Sequence, residues 1–119
     1  MDKLNHNERF KVASTLHDLN EKLTINIEKD KPKKIYWYVK FNLGLQKKSI
    51  TKKSMVVLDM NGNVLETSFF YNEEKNVIII SPMSNYELNK YYILCINKGI
   101  VSKSGKKLEN TINIMFKLQ

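Results

Sequence analysis

Ile35-Tyr36-Trp37-Tyr38-Val39-Lys40-Phe41 is the stretch that decides the fold. On an extended chain successive side chains point to opposite faces. Ile35, Trp37, Val39 and Phe41 therefore face one way, and Tyr36, Tyr38 and Lys40 the other. A helix would instead spread those four apolar residues around its circumference. The same period of two runs on toward the C-terminus. Met55 to Leu58 and Val64 to Tyr71 flank Asn61-Gly62, a dipeptide suited to the positive φ angles of a type I′ hairpin turn. Val77 to Ser81 follows the polar turn from Asn72 to Asn76, and Pro82 ends it because proline cannot donate to a ladder. Tyr91 to Ile96 comes next, then a loop with Gly99 and Gly105, the latter expected at positive φ in its turn. Thr111 to Leu118 closes the series with Ile112, Ile114, Phe116 and Leu118 on one face.

Upstream the pattern changes. Leu4, Phe10, Ala13, Leu16, Leu19 and Leu23 recur at wider spacings, with Glu8, Asp18 and Glu21 set among Lys11 and Lys22. This predicts an amphipathic helix over 4–23, capped by Asn5 or Asn7, although Val12, Ser14 and Thr15 are weak helix formers within it. Thr24 to Ile27 alternates like a short strand, and 28–34 is a charged break around Pro32. The expected organisation is a helix and lead-in strand over 1–34 and a sandwich over 35–119, together one domain. Turn signals every ~8–12 residues are the spacing of β-sandwiches. The fold class is thus all-β, an immunoglobulin-like β-sandwich of about seven strands with a short N-terminal helix. Its expected core is Trp37, Val39, Phe41, Ile80, Tyr92, Leu94, Ile96, Ile114 and Phe116, with the Trp37 N–H needing an acceptor. Tyr36 and Tyr38 would lie outside, covered by the N-terminal helix or left as an adhesive patch.

Composition narrows the function classes. The 119 residues carry a net charge of +8, almost all of it lysine, with Arg9 the lone arginine. Arginine is the residue of bidentate base and phosphate recognition, so a lysine-only excess argues against sequence-specific nucleic-acid binding. Val77 to Ile80 is far shorter than the ~20 apolar residues of a membrane span. The N-terminus has no apolar export signal, which would leave a complete gene product in the cytoplasm. Cys95 is the only cysteine. It admits no intrachain disulfide and reads as an inert buried thiol.

Chemistry is sparse. His6 and His17 are too far apart on one helix face to share a metal, and no glycine-rich phosphate loop or paired-cysteine motif occurs. Asp59 to Asn63 looks like the start of a calcium loop, but Phe70 stands where the closing carboxylate belongs. No catalytic residue, metal or cofactor is expected. One constellation has content. If strands alternate in direction, Lys47, Lys48, Lys52 and Lys53 meet the 72–76 turn and Lys98, Lys103, Lys106 and Lys107 at one pole. Glu73, Glu74 and Glu109 are the acids there. Such a pole would attract polyanions through salt-sensitive contacts.

The ordered series also resembles a known family. Trp37-x-Val39-x-Phe41-Asn42, Ser49-Ile50-Thr51, Val57-x-Asp59-x-Asn61-Gly62 and Ile80-x-Pro82 are similar to the bacterial Ig-like domain of the SbsA (S-layer protein) type. So are Tyr86, Tyr92-x-Leu94-x-Ile96, Gly99-Ile100-x-Ser102-x-x-Gly105-x-x-Leu108 and Ile112-x-Ile114-x-Phe116. The likeness spans Ile35 to Leu118. It implies a β-sandwich module of cell-surface or secreted bacterial proteins, with a structural, spacing or adhesive role. A protein or cell-wall polymer would be the partner, and no shared catalytic residues carry over. It also implies that Tyr86 packs at a corner between the sheets. The N-terminal helix has no counterpart in the family.

Overall fold

Residues 9–17, 24–25 and 34–119 are described by a computed structural model, and in them the chain is almost wholly strand and turn. The strands are β1 (Val12–His17), β2 (Thr24–Ile25), β3 (Trp37–Phe41), β4 (Met55–Asp59), β5 (Val64–Leu65), β6 (Thr67–Asn72), β7 (Val77–Pro82), β8 (Tyr91–Ile96) and β9 (Ile112–Leu118). One sheet has the order β1-β3-β7-β6 and the other β2-β9-β8-β4-β5. All neighbours are antiparallel except β2 and β9, which run parallel. Leaving out the two-residue strands β2 and β5, the order is β1-β3-β7-β6 facing β9-β8-β4. That is the strand order of an immunoglobulin sandwich.

The alternation read from sequence is what closes the sandwich. Trp37, Val39 and Phe41 on β3 and Ile78 and Ile80 on β7 are buried from one sheet. Tyr92, Leu94 and Ile96 on β8, with Phe116 and Leu118 on β9, are buried from the other. Ile114 is half-buried and packs against this core. Trp37 meets Phe116 edge-on across the sandwich, ring centroids 5.2 Å apart. Tyr86 (5.5 Å) and Tyr92 (5.8 Å) pack on the same Phe116 ring. Each buried side chain of this size stabilises by about 1.5–3 kcal/mol relative to exposure.

Four expectations need correction. The helix over 4–23 is contradicted where the chain is described. Val12–His17 is a strand, paired antiparallel to β3 from Val12↔Phe41 to His17↔Trp37 with a bulge between Val12 and Ser14. The β-branched Val12 and Thr15 fit a pleated edge better than a helix. Phe10, buried just ahead of β1, stacks on Phe41 at 5.7 Å and anchors it. Asn42 fastens the same end. Its Oδ1 accepts from the Lys11 N–H (2.9 Å), and its Nδ2 donates to the Arg9 carbonyl (2.6 Å). Positions 4–8 and 18–23 of the expected helix lie outside the described residues, as do 26–33. Tyr36 and Tyr38 consequently lie beside an edge strand, Tyr38 opposite Leu16 and Tyr36 42% exposed.

The Asn61-Gly62 turn is of a different type from the one expected. Of its residues Gly62 alone has a positive φ, 85°. The Gly62 N–H donates to the Asp59 carbonyl (3.1 Å), and the Asp59 N–H to the Asn63 carbonyl (2.9 Å). This is a three-residue hairpin loop, a type I turn finished by a left-handed glycine. The Asp59 carboxylate accepts from the Asn61 and Asn63 N–H groups (both 2.9 Å) and from Asn63 Nδ2 (3.0 Å). The Asn63 side chain first, then the Asn63 and Asn61 N–H groups, hold its pKa below the ordinary carboxylate value. Asp59 thus caps its own turn.

Val64 to Tyr71, expected as one strand, is two. The chain leaves the second sheet after Leu65, crosses at Glu66 and enters the first sheet at Thr67. The corner role expected of Tyr86 divides between two tyrosines. Tyr86 is buried and packs on Tyr92 (4.8 Å), but it is the Tyr92 hydroxyl that accepts the Glu87 backbone N–H at 2.8 Å. A tyrosine near the start of this strand, bonded back to the preceding connection, is the tyrosine corner of immunoglobulin sandwiches.

Candidate functional site

Strand direction places the connections. β3 ends, β4 begins, β6 turns into β7 and β8 leads into β9 at the same pole, where β1 also starts. Backbone hydrogen bonds tie these segments into one surface. Gln46 N–H donates to the Val101 carbonyl (2.9 Å), Lys103 N–H to Gly44 (2.9 Å), and Phe41 N–H to Asn76 (2.8 Å). Leu45 forms a bridge with Ser102, and its N–H donates to the Tyr71 hydroxyl at 3.0 Å, joining the loop to β6.

Serines and threonines shape the loops from within. Buried Ser54 donates through Oγ to the Ser49 carbonyl (2.9 Å) and accepts the Thr51 N–H (2.8 Å). Ser49 Oγ accepts the Val101 N–H at 3.0 Å, tying the two long loops together. Ser102, also buried, accepts the Lys106 N–H at 3.0 Å and shares a hydroxyl contact of 3.0 Å with Ser104. Gly105 completes that turn at φ 90°, the left-handed geometry a glycine takes without strain.

Every lysine expected at this pole lies on it. Lys47 and Lys48 sit on a 3-10 turn, Lys47–Ser49. Lys52 and Lys53 occupy the turn before β4, where the Lys53 carbonyl accepts from Asn97 Nδ2. Lys98, Lys103 and Lys107 are exposed in the loop between β8 and β9, and Lys106 is half-buried beside them. Arg9 and Lys11 add charge that sequence reasoning did not assign to the site, and Lys75 adds more from the 72–76 turn expected there. Arg9 and Lys11 were placed on a helix, and only the pairing of β1 with β3 brings them here. Lys47 pairs with Glu73 at 3.1 Å, and Arg9 with Glu109 at 3.5 Å. The side-chain methylenes of Lys103 lie against Gly44, where a Cβ would come within 3.2 Å of Lys103 Cδ.

The rest of the molecule offers less chemistry. Among the described residues no three of His, Cys, Asp and Glu gather where a metal ion could sit. Cys95 is half-buried on β8, less enclosed than expected. Its thiol donates to Asn97 Oδ1 at 3.4 Å, and burial pushes its pKa up, which favours the unreactive protonated form. An open groove of about 460 Å³ runs between β4–β5 and β6, lined by Val56, Leu65, Phe69 and Met83 with Lys52 and Glu66. Among the described residues no helix is long and apolar enough to cross a membrane.

No protein-family model matches the chain, and no curated protein does. Solved structures do match. A crystal structure of native alpha-2-macroglobulin from Escherichia coli, spanning domains MG0-NIE-MG1, aligns over 95% of this chain with a TM-score of 0.66 at 7% identity. The N-terminal part of the bacterial S-layer protein SbsC aligns over 92% with a TM-score of 0.61 at 15% identity. CopC from Methylosinus trichosporium OB3b aligns over 82% with a TM-score of 0.54 at 12% identity. The fold is an immunoglobulin-like β-sandwich. The chain spans 33% of the macroglobulin fragment and 24% of the S-layer fragment, but 85% of the CopC chain. At such identities the shared property is the fold.

Proposed function

We propose that the chain is a non-enzymatic bacterial Ig-like module of the SbsA kind, a structural and spacing unit at the cell surface. The observation that carries the reading is the course of the chain through the sandwich. Arg9 enters at the lysine-bearing pole and β9 delivers Leu118 to the opposite one, along a body of 50 × 29 × 20 Å. A domain entered at one pole and left at the other can be strung end to end. The S-layer and macroglobulin neighbours support the reading, since the matched region is a fraction of each of those chains. Two copies fused in tandem and measured by small-angle scattering test it. The expected maximum dimension is about twice the 50 Å length of one. A fused pair folded side by side, little longer than a single copy, refutes it.

A second reading has its own support in the pole. Eight lysines from two loops stand there, and a surface of that charge draws polyanions without reading their sequence. An anionic wall polymer and a nucleic acid would both be held in this way. The expected result is retention on heparin beyond about 0.15 M salt, where exposed charges are already screened over ~8 Å. Lys48→Glu with Lys98→Glu and Lys107→Glu should abolish it. Elution of the unaltered chain at or below that salt refutes this reading and leaves the spacing role untouched.

A further inference from the structure

We propose that Asn61 is a self-modifying residue: the Gly62 nitrogen attacks its side-chain amide, and the turn converts to aspartate and isoaspartate. Of the chain's asparagines, Asn61 alone precedes a glycine. The attack is intramolecular and has the advantage of proximity, so the bulk of the following residue is what opposes it. Glycine offers none, and even an added Cβ at Gly62 would meet no atom within 4 Å. Both residues are exposed in the loop between β4 and β5, where water reaches them. Among the described residues the Asn61 side-chain amide has no hydrogen-bond partner to hold it back.

The steps balance with water as the one co-reactant. The Gly62 amide gives its proton to solvent, and the freed nitrogen bonds to Asn61 Cγ, closing a succinimide ring. The Cγ–Nδ2 bond breaks, and Nδ2 leaves as ammonia with a proton from solvent. Water then opens the ring at one of its two carbonyls. Opening at Cγ leaves aspartate. Opening at the backbone carbonyl leaves isoaspartate, with the chain rerouted through Cβ and Cγ. Either product takes one unit from the +8 of the chain. Asp59 sets the pace. Its carbonyl holds the Gly62 N–H (3.1 Å), and its carboxylate holds the Asn61 and Asn63 N–H groups (both 2.9 Å). Cyclisation therefore proceeds from the molecules in which this clasp has opened. Isoaspartate lengthens the loop by one backbone atom. β5 has two residues, held by Val57↔Leu65 and Leu58↔Val64, and it takes up the displacement.

Incubation of the folded full chain in warm, mildly alkaline buffer, followed by peptide mass spectrometry, tests this independently of the function proposed above. The expected result is a gain of about 1 Da at Asn61, as a mixture of aspartate and isoaspartate. Asp59→Ala should speed the conversion about tenfold, the worth of roughly one hydrogen bond to a charged group. Asn63→Ala, which removes the Nδ2 donor to the same carboxylate (3.0 Å), should speed it less and serves where Asp59→Ala fails to fold. Gly62→Ala should slow it at least about tenfold, although alanine loosens the turn. In deuterium exchange the isoaspartyl form should lose protection at β5 and keep it at β7. An Asn61 that stays intact in the folded chain while the urea-unfolded chain converts completely overturns the proposal. Aspartate without isoaspartate also overturns it, since the ring yields both. Faster conversion at another asparagine overturns the selectivity of the site. Variants that are folded by their Trp37 fluorescence and convert no faster than the unaltered chain overturn the role given to Asp59.

Discussion

Replacing Tyr92 by phenylalanine removes one oxygen and one bond, and the structure says what that oxygen does. The ring is buried, packs on Tyr86 and Phe116, and keeps those contacts after the substitution. What is lost is the acceptor for the Glu87 N–H, 2.8 Å away in the connection between the sheets. A hydrogen bond of this kind contributes about 0.5–1.5 kcal/mol net, and Glu87 is exposed enough for water to replace part of it. The expected loss is about 1 kcal/mol, or ~3–5 °C in Tm for a domain of this size. Tyr86→Phe keeps a ring that is equally buried and removes a hydroxyl that fixes no corner, so it should cost within about 0.5 kcal/mol. Urea unfolding measures both. Trp37, the single tryptophan and 2% exposed, reports the transition by its fluorescence. Midpoints should move with unchanged slopes. If Tyr86→Phe costs as much as Tyr92→Phe or more, the assignment of the corner to Tyr92 is refuted.

Alkaline titration addresses Tyr86 from another side. Burial first, and the neighbouring Tyr92 second, push the Tyr86 hydroxyl well above its ordinary 10.0. A raised folded value means that its share of stability is intact below about pH 10 and is lost as pH climbs from there, because the unfolded chain ionises first. Tyr86→Phe should flatten that decline in unfolding free energy, and an unchanged pH profile would count against it. Gly62→Ala and Gly105→Ala should each cost about 1 kcal/mol from positive φ alone, since no atom crowds either position, whereas Gly99→Ala should be neutral or stabilising by ~0.4–1 kcal/mol. Equal Tm values for all three would refute this. Phe10→Ala should cost about 3 kcal/mol, the loss of a buried ring, where a residue on a solvent-facing helix would give less than ~0.5. A negligible change in the urea midpoint would contradict the stacking of Phe10 on Phe41.

Much of the sandwich was legible because alternation is a local property. Ile35 to Phe41 and Thr111 to Leu118 disclose their faces without reference to any neighbour. The lysine pole followed from the same logic, since antiparallel strands return the chain to one end at every second connection. What escaped was set by partners distant in sequence. Val12–His17 takes its conformation from the free side of β3, and the helical spacing of Leu16 and Leu19 competes with it when read alone. The step at Glu66 leaves no trace in the pattern, because residues on either side alternate in the same way while changing sheets. Tyr86 and Tyr92 look equivalent until the Glu87 N–H is placed. Arg9 and Lys11 could have been assigned to the pole only with β1 already in hand.

The passage of one segment between layers has a mechanical consequence. At one flank the chain runs from β5 in one sheet directly into β6 in the other, with Glu66 alone between them. That seam is laced by covalent backbone. Sliding one layer over its mate there cannot proceed by shearing greasy contacts alone, for it must also tear ladder bonds at that margin. A body laced in this way resists slip in the plane while leaving the loops at its ends free to vary.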